Sequence, residues 1–160
     1  MHIEKIKHIE LFKENRQEFL IRIILSAISL TLFLASISAP IIQHIFGYPY
    51  GEDIYSHLSG ICHQYPTRSF WVFNRPFALC SRCTSIYLGL FIFSSFLTIN
   101  KNYVQRFIIG TSLILLISID PIVQFFTSYE SNNFLRFITG IIGGVGTFLI
   151  INFSPIKYKE

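Results

Sequence analysis

The sequence predicts an all-α integral membrane protein with four transmembrane helices, an N-terminal amphipathic cytoplasmic helix and a long outer loop. The chain of 160 residues is 51% hydrophobic and 14% charged, with a mean hydropathy of +0.50, whereas soluble domains carry about 25% charged residues. Its apolar residues form four runs long enough to cross roughly 30 Å of hydrocarbon. Residues 1–160 are therefore expected to form a single membrane domain whose main partner is the lipid bilayer.

The four spans follow the apolar runs in chain order. Pro40 closes the first run, and Asp120-Pro121 interrupts the third. A proline removes a helical hydrogen bond and a carboxylate is costly in lipid, so both features are predicted to break the helices that contain them. The second span could also start at Thr84. The predicted bounds are 19–39, 77–99, 107–129 and 134–153.

Lysine and arginine predict the orientation of these spans, because both residues concentrate on the cytoplasmic side. Nine of the thirteen basic residues fall on one side of the predicted topology and four on the other. The four are Arg68, Arg75, Arg82 and Arg136. The sequence thus predicts a multi-pass protein of the cell (inner) membrane, with both termini cytoplasmic and the loop 40–76 outside.

The segment 1–18 is predicted to be amphipathic. Ile3, Ile6, Ile9 and Phe12 recur every three residues between lysines and glutamates. This spacing is typical of a helix that lies on the membrane surface. A solvated leader with accidental spacing is the alternative.

The first apolar run has a competing interpretation as a signal peptide. Ser36-Ile37-Ser38-Ala39 offers small residues suited to cleavage. The run is longer than a usual signal-peptide core, and Pro40 directly follows the candidate site. A retained membrane anchor is therefore favoured.

Three cysteines and a histidine mark the most informative part of the chain. Cys62-His63 precedes the second span, and Cys80 and Cys83 form a C-x-x-C at its start; the chain contains three cysteines in all. Three cysteines and one histidine are a common zinc ligand set. The sequence predicts a transition-metal site, with zinc as the expected ion and His63 as fourth ligand or its neighbour.

The same cysteines allow two other interpretations. A helix start and the neighbouring Arg82 both lower a thiol pKa, so Cys80 and Cys83 could form a redox pair with Cys62 as the exchanging thiol. Helix count and C-x-x-C placement resemble quinone-linked disulfide-forming membrane proteins, which would imply a quinone cofactor. The cysteines could also only staple the outer loop to the second span.

Two charges lie at matching depth near the outer face. Asp120 lies in the third span and Arg136 in the first turn of the fourth. A lone charge in lipid is costly, so these two residues are predicted to pair. The pair could lock the two spans together, or it could line a polar pocket beneath the cysteines.

Four glycines crowd the fourth span, among them Gly140 and Gly144 in a G-x-x-x-G spacing. This spacing lets helices approach closely and could support a homo-oligomer. A nucleotide loop is a poor interpretation, because no strand precedes the glycines. The sequence lacks a basic stripe with interleaved aromatic residues, the pattern that would indicate nucleic-acid binding.

These motifs resemble an uncharacterised family of small bacterial and archaeal membrane proteins, a domain of unknown function. Its signature is similar to C-H-Q-x-x-x-R-S-F, C-x-R-C-T-G-x-Y-x-G, D-G-x-x-Q and R-x-x-T-G, and the likeness covers about Tyr55 to Gly146. The resemblance implies a compact multi-span protein with one polar site, and no substrate. The residues expected near that site are Gln64, Arg68, Arg82, Thr84, Tyr87, Asp120, Gln124 and Arg136.

Two residues depart from this signature. Ser85 and Pro121 stand where the family pattern has glycine. Neither change removes a candidate ligand. Both alter the backbone freedom at their positions, because glycine tolerates conformations that serine and proline do not.

Overall fold

The computed structural model describes the backbone of residues 2–96 and 103–151, and their side chains from residue 16 onward except 17 and 103. It is mostly helical, with one 3₁₀ turn at Pro66–Arg68. A small antiparallel hairpin joins β1 (Trp71–Val72) to β2 (Arg75–Pro76). The helices are α1 His2–Phe46, α2 Glu52–Leu58, α3 Ser81–Phe96, α4 Tyr103–Phe126 and α5 Asn133–Ile151.

Three of the described helices are long and apolar enough to cross a membrane, namely Glu18–Phe46, Val104–Phe126 and Asn133–Ile151. α3 packs between α1 and α5, and α4 packs on the other side of α5. The 16 described residues of α3 reach about 24 Å at 1.5 Å per residue. The expectation of a helical membrane protein is confirmed, while its fourth span remains a prediction for α3.

Pro40 does not end the first helix, contrary to the prediction; α1 continues to Phe46. A proline leaves the carbonyl four residues earlier without its helical partner. Here that carbonyl belongs to Ser36, and it accepts a hydrogen bond of 3.1 Å from the Ala78 backbone N–H. The helix persists because a distant segment of the chain satisfies the freed group.

The N-terminal segment continues the first helix. The backbone is helical from His2 without a break into the apolar run. The predicted amphipathic face of 1–18 is made by Ile3, Ile6, Ile9 and Phe12, whose side chains lie outside the described residues, so it stays a prediction.

The predicted loop 40–76 is largely structured. Its first residues extend α1, and α2, the 3₁₀ turn and the hairpin follow. The hairpin turns at Phe73 and Asn74, which both have positive φ. Sequence patterning missed these short elements because each is only two to seven residues long.

Asp120-Pro121 does not interrupt the third helix either. α4 runs from Tyr103 to Phe126 rather than over 107–129, with Pro121 inside it. Asp120 is tolerated because its carboxylate has partners, which are described below with the site.

The glycines of α5 bring its backbone against α3. A Cβ on Gly144 would lie 2.6 Å from the Leu90 nitrogen, and one on Gly89 would lie 2.7 Å from the Ile141 carbonyl oxygen. Side chains do not fit at such distances, so close helix packing requires glycine here. The G-x-x-x-G residues are thus used inside the chain, and a homo-oligomer through them remains untested.

A three-cysteine cluster as candidate metal site

The three cysteines converge, as predicted. The sulfur atoms of Cys62, Cys80 and Cys83 all lie within 4.8 Å of one another. Cys62 is 8% exposed and Cys80 is 4% exposed, while Cys83 is partly exposed. The three thiols are unbridged. Three soft ligands therefore lie close together, and Cys83 is the most exposed of them.

Two chain segments deliver these sulfurs. Cys62 follows α2, where its N–H donates to the Leu58 carbonyl at 3.2 Å. Cys80 directly precedes α3, and Cys83 lies in its first turn. Residues three apart at a helix start share one face, so both side chains of the C-x-x-C point toward Cys62.

Gln64 fixes the spacing between these segments. It has a positive φ of 54°, and its side-chain amide donates to the carbonyls of Tyr55 (2.7 Å) and Ala78 (2.9 Å). Both backbone groups of Ala78 are therefore hydrogen-bonded, since its N–H donates to the Ser36 carbonyl. Gln64 thus connects α2 to the bend that precedes Cys80.

Ser36 and Tyr55 are structural partners of the site that sequence reasoning missed. The Tyr55 hydroxyl donates to the Pro76 carbonyl, and the Ser36 hydroxyl lies 3.1 Å from that of Thr84. The sequence points to Ser36 only through its position four residues before Pro40. That spacing predicts that the Ser36 carbonyl has no helical partner, but it does not identify the group that binds this carbonyl.

Backbone N–H groups surround the sulfurs. The Cys80 N–H donates to Cys62 Sγ at 3.2 Å, and the Cys83 N–H approaches Cys80 Sγ at 3.5 Å. The hydrogen bond with Cys62 raises the pKa of the Cys80 thiol. Hydrogen bonds from the side chains of Cys80 and then Cys83 lower the pKa of the Cys62 thiol far below its usual value, outweighing the opposite effect of burial. Donors of this kind stabilise thiolate, which is the form that binds metals.

His63 is not brought into the cluster. Its side chain is exposed, its Nδ1 accepts the Tyr65 N–H at 3.0 Å, and its ring stacks on that of Tyr65. The adjacent cysteine is buried, so the two neighbours point in different directions. Three cysteines form the ligand group in the part of the chain that the structure describes.

The sulfur geometry fits a zinc-sized ion. Zn–S bonds of about 2.3 Å in a tetrahedral site place sulfurs roughly 3.8 Å apart. The separations of up to 4.8 Å are within about 1 Å of that value, a difference that rotamer adjustment covers. The donor set suits zinc or another thiophilic metal, and it leaves one tetrahedral position without a protein ligand among the described residues.

A separate polar network occupies another face of α3. Arg82 Nη2 forms an ion pair with Asp120 Oδ2, and the Gln124 amide donates to the same oxygen at 2.8 Å. The predicted pairing of Asp120 with Arg136 is therefore wrong. Arg82 reaches Asp120 from the first turn of α3, a partner that span-depth reasoning did not consider.

Arg136 connects to this network through neutral groups. It donates to Asn133 Oδ1 at 3.1 Å and to Gln124 Oε1 at 3.4 Å. Gln124 also donates to the hydroxyl of Ser131. Arg82 reaches Asp120 on α4, and the expected polar pocket beneath the cysteines stays a prediction.

The remaining predicted residues have mainly structural contacts. Arg68 pairs with exposed Glu130 at 3.3 Å. Thr84 is buried against Ser36 on α1. Tyr87 packs against the buried group that contains Cys62 and Cys80, so it belongs to the wall of the cysteine site.

The fold and the site together define a helical membrane protein with a three-cysteine centre. The sequence adds the family: residues 62–150, more than half of the chain, match the family described as "Predicted membrane protein (DUF2085)". The chain belongs to this family. The matched region begins at Cys62 and contains all three cysteines.

Two similar proteins come from methanogenic archaea. An uncharacterised protein of Methanothermobacter thermautotrophicus is 40% identical over 88 residues, which cover 54% of this chain and 79% of that protein. An uncharacterised protein of Methanocaldococcus jannaschii is 35% identical over 114 residues, covering 67% and 72%. No solved structure matches this chain. The family is thus established, and its chemistry has to be argued from the site.

Proposed function

We propose that this protein binds a transition metal, with zinc the best fit, through Cys62, Cys80 and Cys83. The observation that carries the proposal is the convergence of three sulfurs within 4.8 Å from segments 18 residues apart. Soft thiolate ligands select zinc, copper(I) or iron–sulfur chemistry over magnesium or calcium. Backbone N–H groups on the sulfurs support the thiolate form.

The fourth coordination position has no protein ligand among the described residues, and this favours a role beyond linking the outer loop to α3. Structural zinc sites use four protein ligands, whereas catalytic sites keep one position for water or substrate. Three protein sulfurs and a partly exposed Cys83 favour the second pattern. A metal held in this way polarises a bound ligand or lowers the pKa of a bound water. His63 enters the ligand set only if its ring leaves Tyr65.

The membrane placement completes the proposal. α3 serves as the fourth span, and its packing between α1 and α5 supports that assignment. The asymmetry of basic residues supports cytoplasmic termini and places the cysteine site on the outer side of the cell (inner) membrane.

Metal analysis of anaerobically purified protein tests the proposal. The proposal predicts about one ion per chain, thiols protected until chelation, and loss of the ion in Cys62→Ser, Cys80→Ser and Cys83→Ser. His63→Ala should keep the ion, and exposed His57→Ala is its matched control. Folded wild-type protein that carries no stoichiometric metal after growth in zinc-replete medium would contradict the proposal.

Thiol–disulfide chemistry is the second candidate, favoured by the presence of a third thiol next to the C-x-x-C. A Cys62 thiolate that attacks a Cys80–Cys83 disulfide at Cys80 would form Cys62–Cys80 and release the Cys83 thiolate, with no net oxidation. Making the first disulfide from two thiols requires a two-electron acceptor, such as a quinone. This candidate predicts a reducible disulfide in the isolated protein and no metal.

A further inference from the structure

An open cleft lies between α1 and α3, at the end of α3 that is far from the cysteines. It has a volume of about 300 Å³, and its apolar lining comes from Phe19, Ile23 and Ala27 on α1. Ligand pockets of this size usually combine apolar walls with a few placed polar groups. Ser94 lines the cleft from α3, roughly 16 Å along the helix axis from Cys83. The cleft is therefore separate from the cysteine cluster.

Arg22 is the charged residue in the lining of this cleft. Its Nε donates to the Ser94 carbonyl at 3.1 Å, so one donor of the guanidinium links α1 to α3. A guanidinium has five N–H donors in all. The two terminal nitrogens of Arg22 have no hydrogen-bond partner in the part of the chain that the structure describes. Most of its donors are thus free for a ligand in the cleft.

The charge of Arg22 also has no counter-ion among the described residues. The two ion pairs found there involve other arginines. Glu18, one turn earlier on α1, is the nearest acid in the sequence, yet it forms no ion pair with Arg22. When the apolar helix Glu18–Phe46 spans the bilayer, Arg22 lies near the boundary between headgroups and acyl chains. A charge at this depth favours an anionic partner that comes from outside the chain.

Two hydroxyls add a further donor to the cleft. Ser26 Oγ and Ser95 Oγ both belong to its lining and lie 2.7 Å apart. Because one of the two hydroxyls donates to the other, the accepting hydroxyl keeps its own hydrogen for another acceptor. The cleft therefore combines a cation, a hydroxyl donor and apolar surface, which suits an amphiphile with an anionic, oxygen-rich head.

We propose that this cleft binds an acidic membrane phospholipid, with Arg22 on the headgroup phosphate and an acyl chain along Phe19 and Ile23. Phosphate oxygens match the planar donors of a guanidinium, and basic pockets between membrane helices recognise anionic headgroups. Phe19 and Ile23 are 61% and 48% exposed, so an acyl chain has apolar surface to cover. The net negative charge of the lipid is the selective feature, and the site does not depend on a bound metal.

Lipid binding to the full chain in uncharged detergent tests this proposal. Delipidated protein is titrated with phosphatidylglycerol, and separately with phosphatidylcholine and diacylglycerol that carry the same acyl chains. Native mass spectrometry counts the bound lipids. We expect saturable binding of phosphatidylglycerol, at least about tenfold tighter than that of the other two lipids, because only this lipid brings a net charge to Arg22. Inorganic phosphate should compete no better than chloride at equal ionic strength.

Three variants decide whether the cleft is responsible. Arg22→Gln should weaken phosphatidylglycerol binding at least about tenfold. Arg16→Gln removes an exposed arginine earlier on the same helix, and this matched control should bind like the wild type. Ala27→Leu fills part of the cleft without changing its charge and should also weaken binding. Because Ala27 is exposed, this variant carries the test if Arg22→Gln does not fold.

Equal binding of phosphatidylglycerol and phosphatidylcholine by the wild type would overturn the proposal. So would an unchanged phosphatidylglycerol affinity in Arg22→Gln or, if that variant does not fold, in Ala27→Leu. An equally large loss of affinity in Arg16→Gln would replace the cleft by a general attraction of basic residues to acidic lipids. Displacement of the lipid by inorganic phosphate, but not by chloride, would make the occupant a free anion instead.

Discussion

The ion pair between Arg82 and Asp120 makes a sharp prediction, because sequence reasoning chose a different partner for Asp120. The perturbations are Arg82→Gln and Asp120→Asn, alone and together. Each single change leaves the other charge without its counter-ion inside a helical membrane protein. Gln124 also loses its carboxylate acceptor in Asp120→Asn.

The burial of the two side chains sets the expected loss of stability. The side chains of Arg82 and Asp120 are 23% and 13% exposed, so the pair is mostly but not fully removed from solvent. Breaking a fully buried pair lowers the free energy of unfolding by about 3–5 kcal/mol. Because this pair keeps some exposure to solvent, each single variant should lower it by about 3 kcal/mol. The coupling energy between the two changes should be about 2 kcal/mol, within the range of directly contacting residues.

A double-mutant cycle by reversible unfolding in mixed micelles measures this coupling. The matched control is the cycle of Asp120→Asn with Arg136→Gln, which share Gln124 but make no direct contact. Its coupling should stay below about 1 kcal/mol. A larger coupling of Asp120 to Arg136 than to Arg82 would refute the arrangement and restore the pairing predicted from span depth.

Three other predictions concern the site, the packing and the topology. Gln64→Ala removes two hydrogen bonds behind the cysteines and should weaken zinc binding by roughly 10–100-fold in a competition titration; unchanged affinity would exclude a positioning role. Gly144→Val should lower stability by about 1–3 kcal/mol or more, because its Cβ would meet the backbone of α3, whereas Gly60→Ala, with nothing within 4 Å of its Cβ, should not. Ser59→Cys, exposed on the segment predicted to be outside, should react with an impermeant maleimide in intact cells, and labelling only after lysis would reverse the topology.

The sequence was sufficient to predict the cysteine cluster. Soft ligands are rare in an apolar chain, and the C-x-x-C at a helix start fixes two of them on one face. The segment between Cys62 and Cys80 is long enough to fold back. His63 was harder to place, because adjacent residues cannot both point into a small buried site unless the backbone bends for them.

Long-range partners were beyond the sequence. Pro40 indicates a helix end, because a proline leaves a carbonyl of the helix without its partner. Nothing near Pro40 in the sequence reveals that the Ala78 N–H donates to this freed Ser36 carbonyl. Asp120 was correctly expected to have a cationic partner, yet depth alone could not distinguish Arg82 from Arg136. Which helices are neighbours decides such pairings, and periodicity does not contain that information.

X-ray absorption at the zinc edge of the purified, zinc-loaded protein tests the central claim most directly. The proposed site predicts three sulfur neighbours at about 2.3 Å and one lighter oxygen or nitrogen neighbour at about 2.0–2.2 Å. Because each Cys→Ser variant is expected to lose the ion, none of them should reproduce this spectrum. A spectrum with only oxygen and nitrogen neighbours would contradict a metal site built from Cys62, Cys80 and Cys83.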